Sequence, residues 1–225
     1  MRSSPWFTGI VAAFVTTLIV SNIVAVKLAD FGGLVLPAAV VIFPVSYLFG
    51  DVLTEVYGYA QARRVIWLGF GCNLMAVIAI WVSQNLPPAA FWAPNQPAFE
   101  AILGFTPRLL LASLAAYLVG EFANAAVLSR MKLLTKGRFL WTRTIGSTLI
   151  GQGLDSAVFI TVAFYGVIPL AILPVTIVTQ WLFKTAYEVA ATPLTYLIVN
   201  WLKRVEGMDV FDRETPLNPF KIAES

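Results

Sequence analysis

The chain has 225 residues, of which 59% are hydrophobic and 12% charged, with a net charge of +3, no histidine and one cysteine. An ordinary soluble domain carries about 25% charged residues, and a core of this size could not hide so much apolar side chain behind so little polar surface. The composition indicates an integral membrane protein, excludes histidine relays, His-ligated metals and disulfide frameworks, and gives no reason to expect a nucleic-acid partner.

Apolar runs predict six spans, at about 7–29, 33–50, 65–83, 108–128, 144–166 and 170–202, on the scale needed to cross about 30 Å of hydrocarbon at 1.5 Å per residue. The first run lacks a small-residue cleavage site and reads as a span rather than a signal peptide. It carries Asn22 and, near its outer end, Lys27, which can snorkel toward Asp30. Ser21, Ala25 and Ala29 give it a stripe of small residues at four-residue spacing.

Span two leads into Phe43–Arg64, FPVSYLFGDVLTEVYGYAQARR, with Asp51 and Glu55 where the apolar run gives out. On a helix, Tyr47, Asp51, Thr54 and Glu55 share one face. Like charges at i, i+4 repel, so this face asks for a partner or a ligand unless it is a solvated helix end. Arg63 and Arg64 read as topology determinants.

The loop at about 84–107 holds Pro87, Pro88, Pro94 and Pro97 with Phe91, Trp92 and Phe99. Proline argues against a regular element there, and the aromatics suit a membrane interface. The loop reads as an interfacial connector, with a partial lid as the alternative.

Span four places Tyr117, Glu121 and Asn124 on one stripe. Span five places Thr148, Gln152, Asp155 and Phe159 on another, with Ser156 beside them and Gly151 and Gly153 permitting close approach. Span six carries Gln180, Lys184 and Glu188 at successive i+4 steps, and Lys184 and Glu188 can neutralise each other along the helix. This last run is longer than one crossing needs, so it is a long tilted helix or one broken near Pro174. The tail from Glu206 onward is polar and reads as a short cytoplasmic cap.

Lys and Arg recur in alternate connections: Arg2; Arg63 and Arg64; Arg130, Lys132, Lys136, Arg138 and Arg143; and Lys203, Arg204, Arg213 and Lys221. The other connections have none until Arg108 at the mouth of span four. By the positive-inside rule both termini face the cytoplasm.

An ionisable group inside hydrocarbon costs about 2.5–3.5 kcal/mol on insertion scales, so each needs an interior partner or a function. Glu121 and Asp155 have no basic residue three or four positions away and are the leading candidates to face a ligand. Asn22 and Gln152 can bond between helices. No Walker sequence, HExxH or GxSxG is present. The residues alone point to a six-span small-solute permease. A membrane-embedded enzyme using Asp155 and Glu121 as an acid–base pair and a structural or assembly factor are the alternatives from other classes.

Five blocks then carry a resemblance: FPVSYLFGDVLTEVYGY from Phe43, GEFANA from Gly120, GQGLDSAVF from Gly151, KTAYEVAATPLTY from Lys184 and FDRETPLNPF from Phe211. In this order, across nearly the whole chain, they resemble the bacterial queuosine-precursor transporters of the vitamin uptake transporter family. The resemblance implies an all-α integral membrane protein, one domain over 1–225, with six transmembrane helices similar to the substrate-binding subunits of energy-coupling-factor transporters. It implies uptake of a deazaguanine, chiefly preQ0 and also preQ1 or queuine, across the inner membrane for tRNA modification. No cofactor, metal or obligatory protein partner is implied, and a homo-oligomer is compatible with it. A subunit of an energy-coupling-factor complex for another vitamin, docked through the Ser21, Ala25, Ala29 stripe, is the nearest alternative.

A guanine-like ring presents a ring N–H and an amino group that one carboxylate can accept together, and a flat face for an aromatic ring. The expected substrate residues are Asp155, Glu121, Gln152, Asn124, Asn22, Lys184, Glu188, Tyr47, Asp51 and Glu55, with Asp155 or Glu121 reading the amino edge and Lys184 balancing charge.

Overall fold

A computed structural model describes residues 4–30, 35–104, 107–166 and 169–220. Arg2, Lys221 and the start of the expected second span at 33–34 lie outside the described residues. In chain order come α1 (Pro5–Val24), a ribbon of β1 (Leu28–Asp30) and β2 (Val35–Pro37), a 3-10 turn (Ala38–Val41), α2 (Phe43–Tyr57), α3 (Tyr59–Asn85), α4 (Gln96–Leu103), α5 (Pro107–Leu134), α6 (Leu140–Phe164) and α7 (Leu173–Glu206). The ribbon is antiparallel, with Ala29 opposite Leu36.

Ser4 caps α1 by accepting from the Trp6 N–H, and Pro5 fills the first turn, where a missing N–H costs nothing. The helix stops at Val24. Ala25 is its C-cap and Ala29 sits in β1, so the expected small-residue stripe is not one helix face.

Within the expected span 33–50, the described residues 35–50 pass through three structures. Their first part enters the ribbon and the 3-10 turn, and α2 begins only at Phe43 with Pro44 in its first turn. Asp51 and Glu55 therefore lie inside a helix, both fully buried. They are not a solvated end. Gly58, at φ 84°, ends α2 and starts α3; that left-handed angle favours glycine, and an added Cβ would lie 2.7 Å from Val210 Cγ1.

The proline-rich loop contains an eight-residue helix after all, α4, because Pro97 falls in its first turn, where proline is tolerated. Trp92 packs edge-on against Phe99 at 5.9 Å.

Among the described residues five segments are long and apolar enough to cross a membrane by length and composition: Pro5–Val24, Ala38–Tyr57, Tyr59–Asn85, Leu111–Leu134 and Leu140–Phe164. The helix α7 has 34 residues, begins with Pro174 in its first turn and runs unbroken through Pro193. Its polar residues Lys184, Glu188, Thr192 and Thr195 are buried, while Val175, Leu182, Val189, Leu194, Leu197 and Trp201 are exposed. Other helices repeat this inversion, with Leu68, Met75, Ile78 and Trp81 of α3 exposed and Glu121 of α5 and Asp155 of α6 buried. Water would impose the opposite pattern.

The polar tail is bonded as a strap across α3 and α5. Asp212 Oδ2 accepts from the Tyr59 N–H at 2.8 Å and from Ser129 Oγ at 2.9 Å. Arg63, buried inside the end of α3, donates to the carbonyls of Pro216 at 3.0 Å and Asn218 at 2.8 Å. Tyr59 Oη donates to Leu217 O and Trp67 Nε1 to Pro219 O. Arg63 is thus a tail anchor carried within a helix, not a charge in a loop.

Candidate functional site

The common face of α2 serves two separate polar clusters, one turn apart. At Glu55 the environment is cationic. Arg143 of α6 donates through Nη2 to Oε1 at 2.6 Å and through Nε to Oε2 at 3.2 Å. Lys203 of α7 reaches Oε1 at 2.7 Å, and Lys132 of α5 stands 3.7 Å away. Asp209 extends the network, 2.6 Å from Lys132 and 2.9 Å from Lys203. Burial raises the Asp209 carboxyl, but hydrogen bonds from both lysines outweigh it and hold it below the ordinary range. The Lys132 ammonium also donates to the carbonyls of Glu55 and Val210 and lies 4.7 Å from the Phe211 ring centre. This knot ties α2, α5, α6, α7 and the strap together. Glu55 has no free oxygen for a solute.

One turn back along α2, Tyr47 and Asp51 face a different group. Asn124 of α5 donates to Asp51 Oδ1 at 2.6 Å. Glu121, one turn from Asn124, lies against α2, since a Cβ on Gly50 would sit 3.0 Å from its Oε2. From α6 come Thr148, Gln152, Asp155 and Ser156, all buried. From α7 come Lys184, bonded to Asp155 Oδ2 at 2.5 Å, and Glu188. Asp51 lies within charge–charge reach of Glu121 and Glu188, Glu121 of Asp155 and Glu188, and Tyr47 of Asp51, Glu121 and Asp155. The four carboxylates form one neighbourhood with Lys184 as its cation.

Two glycines make that convergence possible. A Cβ on Gly120 would lie 2.5 Å from Tyr47 Oη, 2.8 Å from Asp155 Cβ and 3.1 Å from Gly151 O. One on Gly151 would lie 2.8 Å from Asn124 Cβ and 2.9 Å from Gly120 O. Small residues let α5 and α6 approach backbone to backbone, as in other membrane helix pairs. Gly120→Ala should therefore cost about 1–3 kcal/mol and lower the melting temperature in detergent, whereas Gly9→Ala, which meets nothing within 4 Å, should not.

Of the expected residues, Tyr47, Asp51, Glu121, Asn124, Asp155, Lys184 and Glu188 come together, and Gln152 is buried three positions before Asp155 on α6. Glu55 joins the knot. Asn22 joins neither cluster's network: it donates to Asn73 Oδ1 at 2.9 Å and accepts from Ser113 Oγ at 3.1 Å, bridging α1, α3 and α5. Lys184 pairs with Asp155 across helices instead of with Glu188 along its own. Tyr117 turns to α3, where its hydroxyl donates to Ile66 O. Phe43, at the start of α2, was not anticipated; its ring centre lies 4.5 Å from Lys184 Nζ, and an aromatic at a helix start carries no signal of that contact.

Many polar atoms of the group lack a hydrogen-bond partner although buried. They are Tyr47 Oη, Asp51 Oδ2, Glu121 Oε1, Asn124 Oδ1, Thr148 Oγ1, Gln152 Oε1, Ser156 Oγ and both carboxylate oxygens of Glu188. Native interiors rarely leave such atoms unsatisfied. Concentrated in one place, they equip the site to bind a polar solute. They define no hydrolytic constellation, and no set of three or more His, Cys, Asp or Glu able to hold a metal occurs among the described residues.

Residues 37–198 match the family described as "Putative vitamin uptake transporter". A Bacillus subtilis protein named "Probable queuosine precursor transporter" is 32% identical over 177 residues, 78% of this chain and 77% of that protein. A Haemophilus influenzae protein of the same name is 29% identical over 126 residues, 55% of this chain and 49% of its own length. The Escherichia coli "Queuosine precursor transporter" is 28% identical over 126 residues, 55% of this chain and 52% of that protein. The chain thus spans about half the length of the last two. No solved structure matches it. All residues of the partnerless polar group fall between 37 and 198, and the family match covers most of the chain, so this protein belongs to the vitamin uptake transporter family.

Proposed function

We propose that this chain is a six-span permease of the bacterial inner membrane that imports a queuosine precursor, with both termini in the cytoplasm. In this reading α7 is the sixth span. Its mean hydropathy is lowered by Lys184, Glu188 and the threonines, yet those side chains point inward while its exposed side is apolar, as a lipid-facing helix requires. The whole chain forms one membrane domain, needs no protein partner or cofactor, and catalyses no covalent step.

The observation that carries the reading is the buried group of partnerless polar atoms between α2, α5, α6 and α7, inside a chain whose relatives are named as transporters. A deazaguanine ring would place its N–H and amino edge on Glu121 or Asp51. Gln152 and Asn124 would bond the remaining polar edge, and Phe43 offers a flat apolar face. Asp155 and Lys184 form a neutral pair within the group.

The test uses a host that can neither make preQ0 nor import deazaguanines. With this chain expressed and preQ0 or preQ1 supplied at low concentration, queuosine should return to tRNA without any added partner. No return from protein shown to be in the membrane contradicts the proposal.

A further inference from the structure

The partnerless atoms are not a balanced set. As carboxylates, Asp51, Glu121 and Glu188 can only accept, through Asp51 Oδ2, Glu121 Oε1 and both oxygens of Glu188, and Asn124 Oδ1 and Gln152 Oε1 accept as well. The Asn124 amide is fixed in this sense because its nitrogen donates to Asp51; the reverse setting would put its oxygen against a carboxylate. The hydroxyls of Tyr47, Thr148 and Ser156 can donate or accept. The group's one ammonium, Lys184, already donates to Asp155 at 2.5 Å and lies over the Phe43 ring.

Charge tells the same story. Asp155 and Lys184 neutralise each other, while Asp51, Glu121 and Glu188 have no ion-pair partner among the described residues. The cations that could have balanced them are committed elsewhere: Arg143, Lys132 and Lys203 to Glu55 and Asp209, and Arg63 to the tail carbonyls. Tyr47 Oη, itself buried and partnerless, lies beside Asp155 and aims into the same group.

From this imbalance we infer that the site selects a cationic, donor-rich solute: among deazaguanines, one bearing a protonated primary amine over one bearing a nitrile. The inference rests on the permease reading above and deepens it. An aminomethyl substituent adds three N–H donors and a positive charge, which partnerless carboxylates accept as charge-assisted bonds. A nitrile adds only an acceptor, facing acceptors, and brings no charge to pair with a carboxylate.

Competition on the purified wild-type protein in detergent decides it without a variant. Tritiated preQ1, the aminomethyl compound, should bind, and unlabelled preQ0, the nitrile, should displace it about tenfold less well than unlabelled preQ1 or worse. Glu188→Gln, which keeps shape while removing one charge, should narrow that ratio. Equal or better displacement by the nitrile would overturn the inference and leave the permease reading standing. Binding of neither compound would overturn both.

Discussion

Glu55→Gln is expected to lower stability by about 3–5 kcal/mol, the range for removing one partner of a buried ion pair. The carboxylate is fully buried and is shared by Arg143 and Lys203 at 2.6 and 2.7 Å, with Lys132 at 3.7 Å. Without it Arg143 keeps only neutral acceptors, the Arg138 carbonyl and the Thr135 hydroxyl, while the two lysines still have Asp209. Much of the cost is the unpaired guanidinium rather than a missing bond. Glu55→Gln combined with Arg143→Met should therefore recover most of the loss, because a neutral replacement of the whole pair removes the stranded charge. Thermal unfolding in detergent reads both. A Glu55→Gln protein as stable as wild type would mean that the knot does not hold the helices and strap together.

The spans were largely legible because each is an apolar run long enough for the bilayer, and hydropathy reports that directly. The error at 33–50 came from the same source. An apolar strand, a 3-10 turn and a helix are alike in hydropathy, and only Pro44, which suits a first turn, marks where α2 begins. That boundary decided whether Asp51 and Glu55 were surface or core.

The candidate site was legible as faces and illegible as contacts. Spacing put Glu121 with Asn124, Gln152 with Asp155, and Lys184 with Glu188, and each pair does reach the buried group. Which helix meets which is a tertiary fact, so Lys184 finding Asp155, and Arg143 finding Glu55 from 88 residues away, carried no local signal. The strap was hidden for another reason. Arg63, Tyr59 and Trp67 bind main-chain carbonyls of Pro216 to Pro219, and a carbonyl has no letter in the sequence. Asn22 looked the same as Gln152 on paper, yet it met Asn73 and Ser113 and became a link between helices.

Asp155 and Lys184 give the second large effect. Both are buried and bonded at 2.5 Å, so Lys184→Met alone strands a fourth carboxylate among three and should unfold a substantial fraction of the protein. Asp155→Asn with Lys184→Met should restore folding, since neither charge is then left alone. Glu121→Gln should fold unaided, because it removes a carboxyl with no cation beside it among the described residues. It should nevertheless lose solute binding by about tenfold or more, the scale of one hydrogen bond to a charged group.

The most direct measurement is equilibrium binding of tritiated preQ1 to purified wild-type and Glu121→Gln proteins, each first shown by its melting temperature to be folded. A folded Glu121→Gln protein that has lost at least about tenfold in affinity places the solute in the buried group. Unchanged affinity in Glu121→Gln, and again in the folded Asp155→Asn, Lys184→Met double variant, would put the solute somewhere else.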